Sequence, residues 1–326
     1  MLAGGVALGA YQAGAYAALH EHEELWPARL AGSSIGAVNA ALIAGNAPQM
    51  RLAQLQAFWN KAHLESAPQL HWLGDSGRYA ASWLSVVQSR LFGRTGQFRP
   101  RFAEMMLSSV SSIYDLSPLR AQIENCVDFK RLNAGAPRVT VVTTDIETGD
   151  EVAFDTCNGA DINADHLIAS CGFLPDFPPL EIGGRLLGDG GLVANAPIEA
   201  ALVDEDSNAD ILCFVVDLFS SRGERPKTLE QAAARRWDLL FANQTRQTLN
   251  RLKREYRYRA SHPKVTMLHL AYRPSTQEAG PEKPFDFSRQ TLTERWEAGY
   301  LDMQEAILLA SGGNVTSVRG ISLDIW

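Results

Sequence analysis

Residues 29–44 read Arg29-Leu30-Ala31-Gly32-Ser33-Ser34-Ile35-Gly36-Ala37-Val38-Asn39-Ala40-Ala41-Leu42-Ile43-Ala44, and Gly45-Asn46 follows. A short apolar strand at 29–31 runs into Gly32-Ser33-Ser34-Ile35-Gly36, and an alanine-rich helix begins near 37 with Gly45-Asn46 as its C-cap. The five central residues match Gly-x-Ser-x-Gly between a strand and a helix. A serine on so tight a turn needs small neighbours two positions either side. The helix N-terminus behind it stabilises developing negative charge. Towards the N-terminus, 1–3 read as the end of a strand and Gly4-Gly5-Val6-Ala7-Leu8-Gly9 as a glycine-rich turn, followed by a helix to about residue 25. Strand, helix, strand, helix in this order makes a right-handed parallel βαβ unit. A strand generally needs about five residues, so the opening three imply a natural chain that begins further upstream.

Towards the C-terminus, 48–135 hold helical patches with Trp59, Trp72, Trp83, Phe92, Phe98 and Phe102. These aromatics read first as the core of a helical insertion and second as an apolar lid over a lipid site. Strand-like runs return at 138–146, 151–155 and 185–187, with turn signals at Thr148-Gly149-Asp150 and Gly183-Gly184. The continuous apolar run 211–219 has the pattern of a buried parallel strand. A long amphipathic helix over 229–258 carries Trp237, Phe241, Leu252 and Tyr256 near one face, and a strand at 265–271 and a helix at 292–309 follow. No internal repeat or low-complexity linker interrupts this order.

With 326 residues, 46% apolar and 21% charged, the chain has the balance of a globular protein of about two domains, or of one α/β domain with an extension. That balance excludes wholesale disorder, collagen and coiled coil. The net charge of −7 offers no global basic face, and no aromatic-basic module appears, so nucleic acid is not an expected partner. Residues 222–264 nevertheless hold 12 Lys/Arg against 4 Asp/Glu. A solvated helix face accounts for this by default; peripheral contact with an anionic membrane is the second reading. The scattered Cys126, Cys157, Cys171 and Cys213 form no metal-ligand spacing. They point to buried thiols in a reducing, cytoplasmic compartment, with no metal. The first nineteen residues are uncharged, but glycines interrupt them and no basic segment precedes them, so neither a signal peptide nor a spanning helix is read there.

The glycine turn at 4–9 admits two chemistries. As a dinucleotide fingerprint it is broken, because Val6 occupies the middle glycine and Glu21 to Glu24 lie too close. As an oxyanion hole it needs only backbone N–H groups at a helix N-terminus. A base for Ser34 is less evident. Among seven histidines, His262 or His269 would complete a Ser…Asp…His order, yet only 33 residues precede Ser34, too few strands for that fold. The other candidate is Asp189 in Leu187-Gly188-Asp189-Gly190-Gly191, a sequence that also suits an ordinary hairpin turn.

Taken together, the glycine loop, Gly32-Ser33-Ser34-Ile35-Gly36 and Asp189-Gly190-Gly191 resemble a patatin-like phospholipase in order and approximate spacing. Gly9-Ala10-Tyr11-Gln12-Ala13-Gly14, Thr144-Asp145-Ile146-Glu147-Thr148-Gly149 and the 169–179 stretch are similar to its bacterial members, and the C-terminal part to an extension in one bacterial subgroup. The resemblance implies an α/β three-layer sandwich with a mostly parallel central sheet, a helical insertion and a C-terminal helical extension. It divides the chain into a catalytic domain at 1–220 and an extension at 221–326 packed on it. It further implies a Ser34–Asp189 dyad without histidine, Gly4, Gly5 and Val6 as oxyanion donors, Gly32 and Gly36 framing the elbow, and Gly190 and Gly191 completing the Asp-Gly-Gly motif. No cofactor is implied. The sequence departs from the family at Val6, where a third glycine is usual, and at Leu8, where Arg or Lys is common.

The expected activity is hydrolysis of a lipid acyl ester. A general esterase or thioesterase with the same dyad, or a non-catalytic lipid-binding protein, are the alternatives. The sequence fixes no oligomer, while allowing a dimer.

Overall fold

Two uncharged helices lie at the heart of the molecule. In this computed structural model, which describes residues 1–63, 74–107, 110–202, 209–258, 264–275, 277–278, 280–312 and 321–325, α1 (Gly9–His20) and α2 (Ile35–Ala44) are buried along almost their whole length. Both are alanine-rich, which favours helix and allows close packing, and a helix apolar on every side must be enclosed by protein. The first nineteen residues are therefore core, and no helix among the described residues is long and apolar enough to cross a membrane.

Around them the chain continues as β1 (Arg29–Ser33), α3 (Pro48–Ala62), α4 (Gly74–Phe92), β2 (Arg99–Pro100), α5 (Phe102–Leu107), β3 (Tyr114–Asp115), α6 (Ser117–Cys126) and α7 (Phe129–Leu132). Next come β4 (Arg138–Asp145), β5 (Glu151–Asp155), α8 (Ala164–Ser170), β6 (Leu180–Ile182), β7 (Arg185–Asp189), α9 (Gly191–Ala194) and α10 (Ile198–Leu202). The last part holds β8 (Ile211–Asp217), α11 (Leu229–Tyr258), β9 (Val265–Ala271), α12 (Arg289–Ala310) and β10 (Ile321–Ile325). The expected helix to residue 25 stops at His20, and 1–3 contribute only bridges at Leu2, to Gly32 and to Val216.

Those bridges join one sheet. From one side it runs β10, β9, β8, Leu2, β1 and β4, with parallel pairing from β9 to β4 and antiparallel strands at the margins. The fold is the expected α/β sandwich, helices covering a sheet whose centre is parallel. The C-terminal part is more than helical, since β9 and β10 extend the same sheet as β1.

Register along β4 decides where the chain's chemistry can meet. Val142 and Thr143 both pair with β5 on one edge. On the other edge Ser33 of β1 stands opposite Val142, and Asp189 of β7 stands opposite Thr143. The chain thus leaves the sheet at Ser34 at the level where β7 arrives with Asp189.

Helix α12 packs on α1 through two glycines. A Cβ on Gly14 would overlap the Trp296 carbonyl, and one on Gly299 would overlap the Tyr11 carbonyl. Tyr11 Oη donates to Asp302 Oδ2 at 2.6 Å across the same contact. The buried aromatics of the insertion pack largely on the rest of the molecule: Trp59 has its Nε1 on Asn39 Oδ1 at 3.2 Å, and Phe98 meets Tyr114 of the insertion but also Phe177 and Phe285, all edge-on. Phe92 and Phe102 are exposed, and Trp72 lies outside the described residues. Only Cys171 and Cys213 are buried thiols; Cys126 is half-buried and Cys157 exposed, which corrects the expectation for those two.

Candidate active site

Ser34 occupies the sharp bend between β1 and α2, with φ 54° and ψ −128°. A non-glycine residue in this left-handed region carries strain, which persists only where the surroundings impose it. Here the surroundings are backbone. A Cβ on Gly32 would sit 2.5 Å from Ala37 N, and one on Gly36 would overlap the Leu2 carbonyl. Any other residue would push the first turn of α2 away from β1 at Gly32 and away from Leu2 and Ala3 at Gly36. The Ser34 N–H donates to Ser170 Oγ at 2.9 Å, and that hydroxyl donates on to Val142 O at 2.6 Å, tying the bend to β4 through α8.

Asp189 ends β7, buried to 3% exposure. Its Oδ1 accepts the Gly191 N–H at 2.7 Å, and its main-chain carbonyl accepts Thr144 Oγ1 at 2.7 Å. Burial raises its pKa from the usual carboxylate value to about 7, against hydrogen bonding from Ser34 and from the Gly191 amide, which lowers it. Ser34 and Asp189 therefore share one site. The Cys171 thiol beside them is also pushed up, first by burial and then by the charge of Asp189, so it stays protonated at neutral pH.

The glycine loop closes a third side. Gly4, Gly5 and Val6 line the same cavity of about 100 Å³ as Ser34 and Asp189. The three expected donors are not equivalent. The Gly4 N–H donates to Asn195 O at 3.1 Å and is occupied. Among the described residues, the Gly5 and Val6 amides have no acceptor. Val6 reaches φ 52°, in the left-handed region that a glycine would occupy without cost.

Several residues complete the site that the sequence did not single out. Asn195 lines the cavity, and its Nδ2 donates to Gly4 O at 3.4 Å. Gln244 of α11 accepts the Asn195 N–H at 2.9 Å and donates to Gly191 O at 3.3 Å, bracing both loops from the C-terminal part. The rest of the wall is aromatic, with Phe173, Phe177, Phe219, Trp237, Phe241 and Phe285. Arg90 of the insertion reaches the cavity, paired with Asp176 at 2.5 Å and Glu282 at 2.8 Å and lying 3.5 Å above the Phe285 ring. Of the two histidines weighed as bases, His269 faces Asp217 Oδ2 at 3.4 Å and does not line the cavity, while His262 lies outside the described residues. No group of three His, Cys, Asp or Glu side chains gathers as a metal site among the described residues.

A family model described as Patatin-like phospholipase matches residues 1–202, and a second, described as Patatin phospholipase, matches residues 224–311. No curated protein matches. Among solved structures, the crystal structure of VipD from Legionella pneumophila is similar at 14% identity and a TM-score of 0.45, over 99% of this chain and 67% of that one.

Proposed function

Because the chain belongs to the patatin-like phospholipase family, we propose that it hydrolyses lipid acyl esters with Ser34 as nucleophile and Asp189 as general base. The observation that carries this reading is the meeting, in one aromatic cavity, of a serine on a strained backbone, a carboxylate with pKa about 7 and two backbone amides without an acceptor among the described residues. A base is most effective when its pKa lies near the working pH.

In this mechanism the Asp189 carboxylate takes the Ser34 proton as Oγ bonds to the ester carbonyl carbon. The carbonyl π pair moves to oxygen, where the Gly5 and Val6 N–H groups receive the charge and the positive end of α2 lies behind the bend. Gly4, whose own amide is occupied, holds the loop in place. Collapse breaks the bond to the alcohol oxygen, which leaves with the proton from Asp189. Water then gives its proton to Asp189 and attacks the acyl-serine, and a second collapse frees the acid and restores Ser34. The aromatic wall suits the acyl chain and is indifferent to the leaving group, so oxygen esters and thioesters both fit the chemistry.

Labelling with a fluorophosphonate probe tests the reading. The intact protein is expected to react, and both Ser34→Ala and Asp189→Asn to stay unlabelled while folded. Labelling that survives in Asp189→Asn and disappears on substitution of His262 would replace the dyad with a triad.

A further inference from the structure

On the far side of the aromatic wall lies a second, larger cleft of about 750 Å³. The two spaces share a partition. Phe219, Trp237, Pro281 and Pro284 face the Ser34 cavity, and the adjacent Ser220, Asp238, Gly280 and Lys283 face the cleft. Lys283 Nζ lies 5.6 Å from the Phe219 ring centroid within this partition.

The cleft is cationic once its ion pairs are set aside. Two of its four acids are in ion pairs, Asp238 with Lys283 at 2.6 Å and Glu278 with Arg295 at 2.7 Å, while Glu230 accepts from the neutral Tyr79 Oη at 2.6 Å. Among the described residues, the side chains of Arg222, Arg225, Lys227 and Arg273 have no hydrogen-bond or ion-pair partner; with Arg235, which bonds only carbonyls, they outnumber Glu224 and Glu230, the two acids left to set against them. The loop that carries three of these cations is held in place. Arg235 donates to the carbonyls of Ser220 and Ser221, the Lys227 N–H donates to Gln231 Oε1 at 2.7 Å, and the Gln231 N–H donates to Thr228 Oγ1 at 3.1 Å. That last pair starts the 30-residue helix α11, whose positive end adds to the field of the cleft.

From this arrangement we infer that the cleft is a subsite for the phosphate group of the substrate, placed one partition away from the ester that Ser34 attacks. Guanidinium groups suit a phosphate because their planar donors match its oxygens and remain charged at every relevant pH. The adjoining aromatic cavity takes the acyl chain, so one lipid molecule can present its chain to one space and its headgroup to the other. This rests on the acyl-hydrolase reading for the orientation of the lipid. The recognised chemistry is a phosphate ester, whose alternative source is free phosphate.

Calorimetric titration of the full-chain Ser34→Ala protein at low salt separates these cases without turnover. Dihexanoyl phosphatidic acid is expected to bind at least tenfold more tightly than dihexanoylglycerol, and the combined Arg222→Ala, Arg225→Ala, Arg273→Ala change to erase that preference. Arg222→Lys, Arg225→Lys, Arg273→Lys keeps the charges and is expected to keep most of it. Equal affinity for the two lipids, a preference untouched by the alanine changes, or a loss as complete with lysine as with alanine overturns the subsite. Inorganic phosphate binding as tightly as the phospholipid would assign the cleft to the free ion and overturn the headgroup reading. If intact protein cleaves no ester while the charge-dependent preference persists, the hydrolase reading falls and the subsite stands.

Discussion

Two turns border the same cavity and enter the left-handed backbone region with different residues. At the elbow, Ser34 reaches φ 54° between two glycines whose bare Cα atoms let α2 press against β1 and Leu2. In the glycine loop, Val6 reaches φ 52° with a branched side chain that disfavours it, a cost on the order of 1–3 kcal/mol. The elbow's conformation is prepared by its own sequence. The loop's is imposed from outside, by Leu218 against Gly5, by Asn195 on Gly4, and through Asn195 by Gln244 of α11. One half of the site is thus locally encoded, and the other borrows its shape from chain about two hundred residues away or more.

The sharpest way to break the comparison is to remove the chemistry from the elbow and leave its shape. Ser34→Ala is expected to lower kcat on a short-chain ester by about 10⁴-fold or more, with an unchanged circular dichroism spectrum. Activity within about tenfold of the intact protein would place the reaction elsewhere. The converse change leaves Ser34 and spoils the shape. Gly36→Ala drives a methyl group into the Leu2 carbonyl and is expected to cost about 3 kcal/mol or more in denaturant unfolding, the range of severe core disruptions. A cost under about 1 kcal/mol would show that the elbow does not depend on that approach.

A third test uses pH. Burial raises Asp189 to about 7, whereas the unfolded chain releases this proton near 3.8. Between these values the folded state binds more protons than the unfolded one, so the contribution of Asp189 to stability falls as pH rises and is fully adverse above 7. The penalty is on the order of 4 kcal/mol. Asp189→Asn is therefore expected to be inactive yet to melt higher than the intact protein at pH 8, with the gain vanishing near pH 4. For the intact protein, kcat/KM on a short-chain ester is expected to rise with pH through an apparent pKa of about 7. A flat profile from pH 5 to 9 would remove Asp189 as the base.

The smallest expected effect is the most specific to the comparison. Val6→Ala keeps the Cβ in the left-handed region and Val6→Gly frees it, so the glycine variant is expected to be more stable than the alanine variant by about 1 kcal/mol. Equal melting temperatures would mean that the loop is not strained.

The same contrast explains what could be read from the chain before its fold was known. The elbow was legible because Gly32, Ser34 and Gly36 express a local steric demand in a spacing of two. β5 and α11 were legible at their full extents because their patterns are uninterrupted. Asn195 and Gln244 carried no comparable signal, since each acts through single hydrogen bonds to main-chain atoms of distant loops. The loss of Gly4 as a free donor has the same origin: its acceptor is a carbonyl 191 positions on. β10 was invisible because five residues near the end of the chain pair only with β9, and nothing in the spacing of Gly14 and Gly299 tells that two helices touch there. The meeting of Ser34 with Asp189 depends on which edge of β4 each neighbour takes, and that is a property of the sheet.

The interlocked glycines of α1 and α12 bear on how the molecule could be trimmed. Cutting after residue 220 would strip β9 from β8, bare the groove at Gly14 and release the Tyr11 hydroxyl from Asp302. The catalytic-looking first two-thirds, expressed alone, would present a raw sheet edge and an apolar helix face to solvent, and its fate would be aggregation before any assay began.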